Sequence, residues 1–186
     1  MNKKLIILIM CLLTSILILL GYKSKKTAHI YLPATRAVNE SELKEFLDEN
    51  NISPIDVQNT SGFTIVLFEN EESKGHYMLY KYKDESDGKE LLQGSLIVPN
   101  TSKEPQVFIG GVATGIPFMT IIVNDKELLK KTYKVIDFYN GISKTKLLNG
   151  KKGIIIVQDK PKKGYKQNGV ITLCDKNNNV LYEDEY

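Results

Sequence analysis

From Gly62 onward the apolar residues of this chain recur at every second position, in short runs separated by polar turns. That period fits strands and excludes helices for most of the chain, because successive side chains of a strand point to opposite faces. Strands are expected at Phe63 to Glu69, Gly75 to Tyr82, Leu91 to Val98, Gln106 to Ile109 and Phe118 to Val123. Further strands are expected at Val135 to Tyr139, Ile142 to Leu147, Ile154 to Val157, Val170 to Cys174 and Val180 to Glu183. In the second strand the alternation sets Tyr77, Leu79 and Lys81 on one face and His76, Met78, Tyr80 and Tyr82 on the other. Asn140-Gly141 has the composition of a type I′ hairpin turn, and Asn149-Gly150 repeats it. Gly110-Gly111 reads as a bulge. Asp125 to Lys131 fits either a helical turn or a strand connection. The fold class is therefore mainly β, an antiparallel sandwich of immunoglobulin-like kind or a barrel. A parallel α/β sheet is disfavoured, since no helices alternate with the strands.

One soluble helix precedes the strands, from Glu40 to Asn51. Asn39 with Glu42 makes a capping box, and Leu43, Phe46 and Leu47 recur at helical spacing. Asn50-Asn51 and Ser53-Pro54 stop it. The second half of the chain resembles the immunoglobulin-like modules of bacterial surface proteins. The resemblance rests on the Asn-Gly turns and the closing Val-Ile-Thr-Leu-Cys-Asp and Asn-Val-Leu-Tyr segments. The Cys-Trp-Cys core of true immunoglobulin domains is missing.

The N-terminus states an address. Leu5 to Leu20 carries no charged residue and is flanked by Lys3-Lys4 and by Tyr22-Lys23. At about 1.5 Å per residue such a helix spans roughly 25 Å, short but workable for a bilayer core of about 30 Å. The flanks offer poor signal-peptidase sites, because small residues do not fall together at −3 and −1. The expectation is a retained single-pass anchor at residues 1–22, a basic stalk at 23–38 and a domain at 39–186 outside the cytoplasm. The alternative is a domain secreted after signal cleavage. Beyond Cys11 there is only Cys174, so no intramolecular disulfide staples the domain. That suits export by a bacterium.

The residues that carry chemistry are sparse. In the domain there is one histidine, His76, and one cysteine, Cys174, each within an apolar strand. Asp175, Asn177 and Asn179 follow the first alternate positions of a calcium loop, but its glycine and distant glutamate are missing. Residues 110–115 are glycine-rich without the lysine of a phosphate loop. No catalytic, cofactor or metal residues are singled out. The strongest feature is basic: eight lysines against one acid, Asp159, lie between Lys144 and Lys166. Lys151, Lys152, Lys160, Lys162, Lys163 and Lys166 are candidate contacts to an anionic envelope polymer or lipid headgroups, while the net charge of +3 is too small to name a partner by itself. No nucleic acid is expected outside the cell. The expected function is a non-enzymatic binding module of a bacterial cell envelope. The alternatives are an envelope hydrolase with paired carboxylates and an accessory subunit of a membrane complex.

Overall fold

A computed structural model describes residues 34–83, 90–111, 114–159 and 169–186. The apolar run Leu5 to Leu20 lies outside them; among the described residues no helix is long and apolar enough to cross a membrane. Ala34–Tyr186 forms one compact unit. It is mainly β, with antiparallel sheets that include a half-barrel and two short helices.

Among the described residues twelve strands build three sheets. The first contains β1 (Thr35–Arg36), β2 (Pro54–Asn59), β3 (Thr64–Glu69), β4 (Ser73–Tyr82) and β5 (Leu92–Pro99). Its order is β2-β3-β4, and both β1 and β5 pair with β4. They lie on opposite edges of it: β5 covers Ser73 to Tyr80, and β1 pairs with Lys81 and Tyr82 on the side of β3, beyond the start of that strand. The second sheet has the order β10-β7-β6, from β6 (Gln106–Gly110), β7 (Phe118–Ile122) and β10 (Gly153–Val157). The third has the order β12-β11-β8-β9, from β8 (Lys134–Tyr139), β9 (Ile142–Leu147), β11 (Gly169–Cys174) and β12 (Val180–Glu185).

The three-stranded sheet is the middle layer. Phe118, Ile122 and Ile155 pack with Phe63, Ile65 and Leu67 of the first sheet. Met119, Ile121, Ile154 and Ile156 pack with Val135, Ile171 and Leu173 of the third. Burial on both faces explains why Phe-Met-Thr-Ile-Ile and Gly-Ile-Ile-Ile-Val run apolar without alternation, as expected of strands with no solvent face. Each isoleucine removed from water there contributes roughly 1.5–3 kcal/mol. Helix α1 (Glu40–Glu49) makes the outermost layer, with Phe46 and Val38 against Val66 and Leu79 of the first sheet.

Several expectations shift. Residues 34–38, expected in the stalk, enter the fold, because β1 pairs with β4 and Val38 is buried. Glu42 ties that entry down: it completes the capping box and holds Arg36 at 2.9 Å through both oxygens and Lys81 at 2.9 Å. The Arg36 guanidinium, with the Asn39 amide and Lys81, keeps the Glu42 carboxyl well below the usual range against the opposing effect of burial. Strand β2 occupies a stretch not expected to be a strand, and Asp125 to Lys131 resolves as a capped helix, α2 (Lys126–Lys131). Asn140 and Gly141 have φ of 49° and 77°, the positive pair that a type I′ turn requires.

Candidate functional site

The lysine stretch singled out in the sequence divides. Lys160, Lys162, Lys163 and Lys166 lie outside the described residues. Lys151 and Lys152 are half-exposed and are paired within the domain: Lys151 Nζ is 2.6 Å from Asp56 Oδ1, and Lys152 pairs with Glu69. The neighbouring Lys144 and Lys146 share the parity of Ile142 in β9 and point toward β10. Lys144 donates to the Val157 carbonyl at 2.8 Å and to Asp159 at 3.0 Å, and Lys146 donates to the Ile155 carbonyl at 2.9 Å. Asp56 also accepts the Ile155 amide at 3.1 Å. These lysines therefore close the outer edge of the middle sheet, a task that alternation in Ile-Ser-Lys-Thr-Lys-Leu places on their side of the strand.

A second basic surface gathers around α2. Asp125 caps the helix, its Oδ1 accepting the Leu128 amide at 2.7 Å. Thr132 ends it, donating its hydroxyl to the Leu128 carbonyl at 2.8 Å. Leu128 and Leu129 dock the helix on the core beneath. The next residue, Tyr133, is clamped through its backbone: its amide donates to the Cys174 carbonyl at 2.8 Å, and its carbonyl accepts the Leu148 amide at 2.9 Å. These bonds bring three separated segments together, the end of α2, the Asn149-Gly150 turn and the turn from Asp175 to Asn179. Between them lies a solvent-open groove of about 740 Å³, with Lys130, Lys131, Tyr133, Asn149 and Lys176 in its wall. That size is in the range of small-molecule sites. A second groove of about 460 Å³ on the other flank of α2 shares Lys131 and Leu181 and adds Lys103 and Tyr182.

The charges of this groove are unequal in availability. Lys130 is engaged with Glu127 at 2.7 Å. Lys131 and Lys176 have no carboxylate within ion-pair distance among the described residues, and Lys176 Nζ stands 5.9 Å above the half-exposed ring of Tyr133. Asp175 is consumed by its own turn. Its carboxylate accepts the Asn179 side-chain amide at 2.8 Å and the backbone amides of Asn177 and Asn179 at 2.8 and 2.9 Å, and these bonds lower its pKa. The oxygens that resembled a calcium loop thus satisfy the turn itself. An anionic ligand entering here would meet two available ammonium groups, an aromatic face and amides.

The remaining candidates are buried in separate layers. His76 lies between the first and second sheets, its Nδ1 3.2 Å from Thr120 Oγ1 and its ring edge-on to Phe118. Burial holds its pKa down at about 4. Cys174 is buried in the third sheet, so the structure does not bring these two into one site. Asp137, fully buried, accepts the Tyr186 hydroxyl and the Gln158 amide; burial pushes its pKa up against those bonds. Lys74 of β4 is fully buried and donates to the Ser102 carbonyl at 3.1 Å.

The groove lysines were not singled out by the sequence reading. The available signal was Asp125 three residues before Leu128, a helix cap that places Lys130 and Lys131 in a last turn, where cations suit the dipole. Nothing local joins them to Lys176; a β-pairing across the third sheet does. The chain matches no family model, no curated protein and no solved structure.

Proposed function

We propose that the chain is a membrane-tethered, extracytoplasmic binding module of a bacterial cell envelope, an elaborated β-sandwich that holds an anionic ligand in the groove around α2. The observation that carries the reading is the convergence of Lys131, Lys176 and the Tyr133 ring on one solvent-open groove. Cationic, aromatic and amide groups bind and orient a ligand without supplying a nucleophile. The ligand chemistry that matches is a phosphodiester, present both in wall polymers and in lipid headgroups. The run from Leu5 to Leu20 supports the tether, and the expected outward placement puts the groove where such ligands occur.

The test uses the full chain in neutral-lipid nanodiscs, titrated with poly(glycerol phosphate), with phosphatidylglycerol vesicles and with a neutral glycan, at low and physiological salt. Binding is expected for one or both phosphodiesters and not for the glycan. Lys131→Gln and Lys176→Gln should each weaken it about fivefold, from about 1 kcal/mol per lysine near an anionic surface. Failure of both phosphodiesters to bind at low salt would end the reading.

A further inference from the structure

The outer strands of the three sheets differ in how they meet water. The outward groups of β10 are capped by Asp56, Lys144 and Lys146. Strand β9 carries those two lysines, and β2 carries Asp56. Strand β12 carries Glu183, Asp184 and Glu185. Strand β6 is uncharged but only five residues long. Strand β5, Leu-Gln-Gly-Ser-Leu-Ile-Val-Pro, is eight residues long and has no charged side chain. It pairs with β4 from Tyr80↔Leu92 to Ser73↔Pro99, and among the described residues no strand pairs with its other edge. Leu96 and Ile97 are each 40% exposed. They are consecutive, so they point to opposite faces of the sheet. Up to Val98 this uncharged edge presents a row of unpaired amides and carbonyls, which is a template for another strand, and Pro99, without an amide, ends it; natural edges usually carry charge, interior proline or a bulge that prevents pairing.

We propose that β5 pairs antiparallel with β5 of a second copy of this chain, about a two-fold axis at Leu96, joining two five-stranded sheets into one. Charge decides for a second copy. Self-pairing sets a strand against its own sequence, and β5 brings no like charges together, whereas β12 would crowd three acids from each copy into one ribbon. Geometry restricts the register. Residues directly opposite each other share a face, so a two-fold antiparallel pair must be centred on a residue rather than between two. Centring on Leu96 places the two Leu96 side chains together on the face toward the middle sheet, where its β4 partner His76 lies. Ile97 then lies opposite Ser95 of the second copy, Val98 opposite Gly94, and Gln93 opposite Pro99. Both exposed aliphatic side chains lose water contact, each on its own face. A ladder built from backbone bonds and apolar contacts is insensitive to salt, unlike phosphodiester binding in the α2 groove, and it uses none of the groove residues.

The test is cysteine crosslinking of the full chain in membranes. The background is Cys11→Ser with Cys174→Ala, and one new cysteine is placed at Leu96, Gln93 or Ser143. Oxidation should give a self-linked dimer for Leu96→Cys, because opposite Cβ atoms in a sheet stand about 4.5–5.5 Å apart. Gln93→Cys should give none, since Gln93 of one copy lies about 20 Å along the ribbon from Gln93 of the other at roughly 3.3 Å per residue. Ser143→Cys, on the outer face of the third sheet, is the collision control. Dimer at Leu96 no greater than at Ser143 overturns the proposal, as does adduct formation with a different protein in place of the self-adduct. A second variant, Leu96→Lys with Ile97→Lys, should be monomeric by light scattering in mild detergent with an unchanged far-ultraviolet spectrum, while the wild type is dimeric at low and high salt alike. A dimer that survives those two lysines also overturns it.

Discussion

The two ends of the layered stack are finished in opposite ways. At one end β10 touches β2 and β9, and the contact is charged: Asp56 accepts Lys151 and the Ile155 amide, and Lys146 reaches both Asp56 and the Ile155 carbonyl. At the other end of the first sheet β5 carries no charge and meets no further strand among the described residues. The first end satisfies its free backbone groups with side chains from neighbouring sheets, so a foreign strand finds nothing to bond. The second leaves them available. A sheet protein can thus be protected from association along one edge and built for it along another, with the choice written in whether lysine and aspartate share the parity of the buried face.

The comparison can be broken at either end. The largest effect is expected beneath the open end, where His76 of β4 is desolvated with its pKa lowered to about 4. The unfolded chain binds a proton near pH 6.5 while the folded one does not, so stability is intact above about 6.5 and is lost as pH falls toward 4, by roughly 3 kcal/mol. Urea midpoints measured across that range for the wild type and His76→Gln should diverge, with the variant lacking this slope; parallel curves would show His76 to be protonated in the fold. The clasp comes next. Asp56→Ala leaves the Ile155 amide buried without its acceptor, and should cost about 2 kcal/mol. Lys146 and Lys151 are themselves more than a third exposed, so their share is screened and small. Asp56→Asn, which keeps an acceptor oxygen, should recover at least half of that loss in the same urea titration. Lys144→Ala should cost only about 0.5–1 kcal/mol, the net worth of its hydrogen bond to the Val157 carbonyl. Smallest of all, Leu96→Lys should change thermal stability by less than about 0.5 kcal/mol, as at other exposed positions, when both proteins are measured at concentrations low enough to be monomeric. A larger loss would show that Leu96 belongs to the core rather than to an edge.

Strand content was legible because alternation and turn chemistry are local. Glu40 to Asn51 and the Asn140-Gly141 hairpin could be read for the same reason: Asn39, Glu42 and the positive-φ pair act within a few residues. Strand β2 was not: Ile55 to Gln58 alternates only over four residues after Pro54, the residue it buries most is the polar Asp56, and its place depends on β3 beside it and on Asp56 reaching β10. The third layer was half-written. Phe118 to Val123 and Ile154 to Val157 look too apolar for a two-layer sandwich with a wet outer face, and double burial is the reason. The lysines show the limit most clearly. A count along the chain sees Lys144, Lys146, Lys151 and Lys152 as one basic run, whereas the fold assigns them to carbonyls and carboxylates of three different strands. The groove around α2 draws its lysines from places some 45 residues apart, from Lys131 to Lys176, joined only by the pairing of the third sheet.

The Asp56 clasp also has a consequence in time. Its partners Lys151 and the Ile155 amide lie 95 and 99 residues further along the chain. Closing a loop of that length costs about 2 kcal/mol more in chain entropy than closing one of ten residues, and contacts of such separation slow folding. A chain emerging N-terminus first therefore presents α1 and the first sheet long before β10 exists. Through that interval Asp56 stays hydrated, and the outer edge of β2 stands open alongside that of β5. The finished molecule hides an edge that stands open through much of its own synthesis.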